Sequence, residues 1–102
     1  MEGKTCYVYM IECKNNALYT GITNDAVKRW YRHFKGFAAN YTKIHGCKRP
    51  VFLKKFASKG LAMKEENRIK KLSRTEKLLM VVNEDAKLLF KFKKEFNKKF
   101  YK

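Results

Sequence analysis

The chain has few acidic residues and little cysteine, and it has no long apolar run. Its 102 residues include 9 Asp and Glu against 25 Lys and Arg. The three cysteines (Cys6, Cys13 and Cys47) form no CxxC pair, which argues against a disulfide framework and a zinc site. No run of about 18 apolar residues exists, so we expect no stable membrane insertion. Met1–Lys4 provide no apolar signal segment, and we therefore expect a cytoplasmic protein.

The composition favours one folded domain that binds a polyanion. Apolar residues make up 45% of the chain and aromatic residues 15%, which is enough for one modest core. The formal net charge of +16 weakens the compact state by self-repulsion, so we expect a partner that benefits from it. DNA is the expected partner, with RNA left open, and the alternative is a solvated lysine-rich face. We expect a monomer or a weak homodimer.

The first third of the chain predicts a hairpin followed by a helix. Residues 5–13 alternate in the manner of a strand, with Tyr7, Tyr9 and Ile11 on one face. Residues 18–23 read as the returning strand after a polar turn. Asn24 and Asp25 are residues that commonly cap the start of a helix, and Gly36 commonly ends one, so we expect a helix that runs to about Lys35.

The middle of the chain predicts one more strand and one more helix. Residues 37–49 are expected to be irregular, and Pro50 to open a strand over residues 51–57. Gly60 is expected to break the chain before a helix over residues 61–72.

The last third predicts two further helices. Ser73 and Glu76 have the spacing of a capping box, so a new helix is expected to begin there. Residues 87–102 form a basic amphipathic segment whose leucines and phenylalanines share one helix face. We expect a domain over residues 1–84 and an extension over residues 85–102 that packs on or continues it. The fold class is therefore α+β, a small, mostly antiparallel sheet flanked by helices.

Four residues suggest a site that handles phosphate. Tyr9 and Tyr19 lie on adjacent strands of the hairpin. Arg29 and His33 are four residues apart and share one face of the next helix. Arginine offers a forked donor set to phosphate, and a phenol or an imidazole can take a proton from water. A tyrosine base needs nearby positive charge, which the cationic chain favours.

A carboxylate on a later helix completes the candidate site. A carboxylate oxygen holds Mg²⁺, which stabilises charge on a scissile phosphate. Glu65 and Glu66 both lie near the apolar side of this helix, and helical geometry does not choose between them.

Taken together, these features resemble the GIY-YIG nuclease domain, of the small stand-alone bacterial type. Its first motif stands here as YVY at residues 7–9 and its second as YTG at residues 19–21. Arg29 lies on the helix where the family places its catalytic arginine. Residues 62–72 (AMKEENRIKKL) resemble the Ala-Leu…Glu…Ile-Lys-x-Leu helix of that branch, which places the metal-binding glutamate at Glu66. The resemblance covers residues 5 to about 79.

The resemblance implies a three-stranded antiparallel sheet, one bound Mg²⁺ or Mn²⁺, and hydrolysis of DNA strands by a metal-dependent endonuclease. His33 completes an Arg-xxx-His pair found in junction-resolving nucleases, which points to structure-selective cleavage linked to DNA repair or recombination. The implied catalytic residues are Tyr9, Tyr19, Arg29, His33 and Glu66. The alternatives are a non-cleaving nucleic-acid-binding module on the same fold and, less favoured, a membrane-surface protein anchored by the tail.

Two positions depart from the family pattern, and several residues have a second interpretation. Tyr7 replaces the glycine of the first motif and could itself be the site tyrosine, while Thr20 replaces an isoleucine of the second.

Gly21 either lets a phosphate backbone approach or permits close packing of the strand. Glu66 could instead form an ion pair with a neighbouring base. In the basic segment 37–49, Lys43 and Arg49 are expected to contact nucleic acid.

Overall fold

A computed structural model of the chain describes residues 5–101. Met1–Lys4, on which the expected lack of a signal segment depends, and Lys102 lie outside the described residues. Between residues 5 and 101, no helix is long and apolar enough to cross a membrane.

Three antiparallel strands form the sheet. They are β1 (Cys6–Cys13), β2 (Leu18–Thr23) and β3 (Cys47–Phe56), in the order β2-β1-β3. The turn between β1 and β2 places Asn16 at a positive φ of 70°, a conformation that asparagine tolerates. Because β1 is central, β2 has one edge that pairs with no other strand among residues 5–101.

The alternation of β1 divides the core into two layers. Val8 and Met10 are buried in a cluster with residues of α3 (Lys59–Lys70) and α4 (Arg74–Asn83). Tyr9 and Ile11 are buried on the other face, against α1 (Ala26–Lys35) and α5 (Lys87–Phe100). The predicted α+β fold, a three-stranded antiparallel sheet flanked by helices, is therefore observed.

Helix α1 begins and ends where the sequence predicts. The Asp25 side chain accepts a hydrogen bond from the backbone N–H of Lys28, and Gly36 ends the helix at a φ of 83°. This φ is easy for glycine and strained for other residues. The predicted capping box is also present, because Ser73 and Glu76 exchange side-chain and backbone hydrogen bonds at the start of α4.

The prediction of an irregular segment over residues 37–49 was wrong. A short helix, α2 (Asn40–His45), forms there, and β3 begins at Cys47 rather than after Pro50. Helix α2 has no side-chain N-cap, so it carries no capping signal in the sequence. Pro50 lies inside β3 opposite Ile11, next to a register shift, and it is tolerated because β3 is an edge strand.

The prediction that Gly60 breaks the chain was also wrong. Helix α3 begins at Lys59, so Gly60 lies in its first turn, and the Ser58 side chain accepts a hydrogen bond from the Leu61 N–H. A first-turn glycine is tolerated because the cap stabilises the helix start.

Helix α5 packs its apolar stripe against α1 and β3. Leu89 and Phe96 are buried, and the Phe96 ring lies 5.0 Å from the ring of Phe34. Phe90 and Tyr101, outside the stripe, are 60% and 68% exposed. The apolar stripe of α5 therefore packs on the protein's own core.

Candidate active site

A buried hydrogen bond between Tyr9 and His33 forms the centre of the candidate site. Strand β1 supplies the phenol and α1 the imidazole, and the Tyr9 hydroxyl lies 2.7 Å from Nε2 of His33. Tyr9 is 1% exposed and His33 is 2% exposed. Tyr7, the other tyrosine on this face, packs instead against Phe92 with ring centroids 5.4 Å apart. Of the two phenols on this face of β1, therefore, only Tyr9 contacts the imidazole.

A third residue, Thr42 of α2, fixes the tautomer of His33. The Thr42 hydroxyl donates to the Ala39 carbonyl at 3.1 Å, so its oxygen must accept the hydrogen on Nδ1 of His33, 2.8 Å away. Nε2 is then the acceptor for the Tyr9 hydroxyl. Thr42 was not predicted as a site residue, because α2 was not predicted and a threonine in a polar segment belongs to no recognisable motif.

Both members of this pair are neutral at pH 7. Burial, followed by the charges of Arg29 and Arg32, lowers the pKa of His33 to about 4. Burial and then Tyr19 raise the pKa of Tyr9 above its ordinary value, Arg29 lowers it, and Glu66 raises it. The expectation that the cationic chain would activate a phenol is wrong for Tyr9, because desolvation outweighs the nearby arginine.

Tyr19 occupies a more open place than Tyr9. Its ring lies 5.2 Å from the His33 ring and 6.2 Å from the ring of Tyr41, on which it stacks at 17°. Tyr19 is half-buried and lines a surface groove. The structure thus brings both motif tyrosines against one imidazole, with Tyr19 on the solvent side.

The Tyr9 phenol lies directly over Gly21. A Cβ added at residue 21 would meet the Tyr9 hydroxyl oxygen at 2.5 Å, which is closer than any real Cβ contact. The pairing of Tyr9 with Gly21 in the β1–β2 register places the ring there. Gly21 therefore has a packing reason in this fold, and its predicted contact with nucleic acid stays a prediction.

Arg29 and Glu66 lie on helices that pack on opposite faces of the sheet. Arg29 is exposed on α1, one turn before His33, and its charge lowers the pKa of both Tyr9 and His33. Glu66 is on α3, whose buried residues pack on the other face, yet its charge still raises the pKa of Tyr9.

The two neighbouring glutamates of α3 have different partners. Glu65 accepts two hydrogen bonds of 2.8 Å from Arg68, which lower the pKa of its carboxyl group. Glu66 forms one ion pair with Lys70, at 3.2 Å. The Glu65 carboxylate is thus committed to a bidentate pair, whereas Glu66 is held by a single lysine.

The other predicted contacts lie outside this centre. Arg49 forms an ion pair with Glu12 at 2.9 Å, between β3 and β1, and Lys43 is exposed on α2. In the described range, no group of three or more His, Cys, Asp or Glu side chains is arranged to hold a metal ion.

Comparison with known proteins gives consistent matches. Residues 5–79 match the GIY-YIG catalytic domain, a range that includes all five predicted catalytic residues. A UPF0213 protein of Oceanobacillus iheyensis is 44% identical over 75 residues, covering 74% of this chain and 87% of the relative. The UPF0213 protein YazA of Bacillus subtilis is 38% identical over 81 residues, covering 79% and 82%. The solution NMR structure of the UPF0213 protein BH0048 from Bacillus halodurans matches with a TM-score of 0.53 at 38% identity, covering 82% of this chain and 89% of that one.

Proposed function

This chain belongs to the GIY-YIG nuclease family, and we propose that it is a metal-dependent endonuclease that hydrolyses DNA phosphodiester bonds. The observation that carries the proposal is the buried Tyr9–His33 hydrogen bond, on whose phenol the charges of Arg29 and Glu66 both act. Phosphodiester hydrolysis uses a cation to bind the phosphate and an anion to bind a metal ion, and we assign these two tasks to Arg29 and Glu66.

Arg29 is the residue assigned to the phosphate. Its guanidinium is always charged and presents several donors to a planar array of oxygens. Because Arg29 is exposed, a phosphate can reach it without rearrangement of the core. In the transition state it stabilises the negative charge that develops on the phosphate oxygens.

The two tyrosines receive different roles. Tyr19 is half-buried, lines a groove and lies against His33, so its hydroxyl is the one assigned to orient the attacking water. Tyr9 is buried and donates to His33, so it positions the imidazole and does not meet the substrate. The sequence analysis left open which tyrosine acts on water, and the difference in burial favours Tyr19.

Binding of a phosphate near Arg29 and Arg32 would change the pKa of His33. Its pKa is lowered by burial and by Arg29 and Arg32, and an anion bound between these arginines would offset part of their effect. The imidazole therefore becomes a better hydrogen-bond acceptor for Tyr9 when phosphate is present. This couples binding of the phosphate to tightening of the Tyr9–His33 pair.

Glu66 is the residue that would hold a divalent cation, and Mg²⁺ or Mn²⁺ bound there would stabilise charge on the scissile phosphate and the leaving oxygen. One half-buried carboxylate fits this use, since Mg²⁺ is often held by one or two carboxylates with waters and substrate phosphates completing its shell. Release of Glu66 from Lys70 costs about 0–1 kcal/mol, because the lysine is largely exposed.

The remaining contacts with nucleic acid belong to the same proposal. Gly21, Lys43 and Arg49 stay assigned to the nucleic-acid surface, and the cationic surface supplies affinity that falls with salt. Structure-selective cleavage, a part in DNA repair or recombination, and RNA as a second substrate are further predictions of this proposal.

The test is a cleavage assay with single-stranded, duplex and branched DNA. The wild-type chain is expected to nick at least one of these forms with Mg²⁺ or Mn²⁺ and none with EDTA. The Arg29→Ala variant is expected to lose cleavage, while Lys28→Ala, the adjacent exposed base on α1, is expected to keep it. Salt-sensitive binding with no nicking in any metal would instead support the non-cleaving module.

A further inference from the structure

A basic groove lies beside Tyr19, around the free edge of β2. Its volume is about 420 Å³. Its walls are formed by the start of β2, Tyr41 of α2, and residues at the end of α3 and in α4. The lining residues are Ala17, Leu18, Tyr19, Thr20, Tyr41, Lys70, Arg74 and Lys77. Three of them are cationic and none is acidic.

The hydroxyl of Thr20 in this groove lacks a partner. Thr20 is 3% exposed, and among residues 5–101 its Oγ1, an atom with almost no exposed surface, forms no hydrogen bond. Buried hydroxyls nearly always have a partner, because desolvating one without compensation costs free energy. Thr20 pairs with Met10 in the register and thus faces the α3 side, where Lys70 also lines the groove. A valine would fill the same space without this cost, so the hydroxyl points to a ligand.

Two of the three cations are held in place by backbone carbonyl groups. Arg74 donates from Nε to the carbonyl of Asn16 at 2.8 Å, and Lys77 donates to the carbonyl of Leu18 at 3.4 Å. Each hydrogen bond uses one N–H group of the side chain and leaves its other N–H groups free for a ligand. Both cations are therefore positioned before any ligand arrives, which lowers the entropy lost on binding.

The third cation joins the groove to the candidate active site. Lys70 lines the groove and forms the ion pair with Glu66, the residue assigned to the divalent cation. Tyr19 lines the groove and packs against His33. A ligand here therefore lies next to the site, not at a separate place on the surface.

We infer that this groove is a second phosphate subsite, in which Thr20, Lys70, Arg74 and Lys77 bind the phosphodiester group next to the one that is cleaved. The inference rests on the proposed function, since it assigns the groove to a nucleic-acid strand. Rotation of the Thr20 side chain towards the groove would let a phosphate oxygen accept from its hydroxyl, while the cations neutralise the phosphate charge. The subsite would fix the strand along the edge of β2 and so set which bond meets Tyr19.

The test measures binding without cleavage. A short fluorescein-labelled DNA oligonucleotide, single-stranded and as a duplex, is titrated with the protein in EDTA, and fluorescence anisotropy is recorded over a range of salt concentrations. Thr20→Val is expected to weaken binding of the preferred form about tenfold, as expected for a lost hydrogen bond to a charged group. The same variant is expected to melt at the wild-type temperature or higher, because an unpartnered hydroxyl is removed.

A lysine pair provides the second measurement. Lys77→Gln is expected to weaken binding and to reduce the slope of log K against log salt by about 1, which corresponds to one lost phosphate contact. Lys64→Gln, on α3 but outside the groove lining, is expected to leave the slope unchanged. The inference is overturned if Thr20→Val and Lys77→Gln both bind like the wild type.

The two hypotheses fail in different ways. If Thr20→Val weakens binding but no metal supports nicking, the subsite stands and the endonuclease proposal falls. If nicking depends on metal and on Arg29 while Thr20→Val and Lys77→Gln both bind normally, the endonuclease proposal stands and the subsite falls.

Discussion

Acid should destabilise this protein through protonation of His33. The pKa of His33 is about 4 in the folded chain, compared with 6.5 for an unperturbed histidine. The unfolded chain therefore binds this proton more tightly. Stability is complete above about pH 6.5 and falls as the pH drops towards 4.

The size of the effect follows from that difference in pKa. At about 1.4 kcal/mol per pKa unit, a difference of about 2.5 costs about 3 kcal/mol once the pH reaches 4, and about 2 kcal/mol at pH 5. For a domain whose total stability is about 5–15 kcal/mol, this loss is large. Stability is lost because a charged imidazole would be buried beside Arg29 and Arg32 and could no longer accept the hydrogen bond from Tyr9.

Urea unfolding between about pH 7 and pH 5 measures this loss. Glu65, the half-buried carboxyl group with a lowered pKa, titrates below this window, so it contributes little there. His33→Gln keeps an acceptor for Tyr9 and removes the titration, so its stability should change little over the window. His45→Gln, a change at the other histidine, should keep the full loss. Equal pH dependence of the wild type and His33→Gln would refute the reasoning.

Further predictions concern the phenol pair and its packing. Tyr9→Phe leaves Nε2 of His33 buried without its partner and should lower the free energy of unfolding by about 1–3 kcal/mol in urea titrations. Tyr19→Phe should leave stability within about 0.5 kcal/mol of the wild type but lower the cleavage rate about 10²-fold or more; a stable, fully active Tyr19→Phe would contradict its role. Gly21→Ala forces the Tyr9 ring aside and should destabilise the fold by about 1–3 kcal/mol. Gly60→Ala, with no neighbour closer than 3.9 Å, should raise the melting temperature, and equal melting of the two alanine variants would argue against a packing role for Gly21.

Periodicity and capping chemistry accounted for most of the fold. The alternation of β1, the Asp25 cap, Gly36 and the Ser73–Glu76 box are local signals, and each is observed in the structure. Helix α2 and the start of β3 were missed because their causes are not local. Helix α2 has no cap, and β3 keeps Pro50 only because it has an edge position and a register shift beside it.

Some features of the candidate site could likewise be predicted from the sequence, and others could not. Tyr9, Tyr19 and Arg29 could be chosen from motif spacing, since their roles depend on residue type and order. The burial of Tyr9, the contact of Thr42 with His33 and the buried hydroxyl of Thr20 that forms no hydrogen bond could not be predicted. They depend on which side chains the packed helices bring within hydrogen-bond distance, and sequence spacing carries no information on that.

The measurement that tests the central claim most directly compares two adjacent glutamates of α3. Glu66→Gln and Glu65→Gln each remove one carboxylate charge and one ion pair from the same helix. The rate of Mg²⁺-dependent DNA nicking should fall more than about 10²-fold in Glu66→Gln, because charge stabilisation worth several kcal/mol is lost, and should stay near the wild-type rate in Glu65→Gln. Nicking that survives Glu66→Gln, or that is lost equally in both variants, would contradict the account.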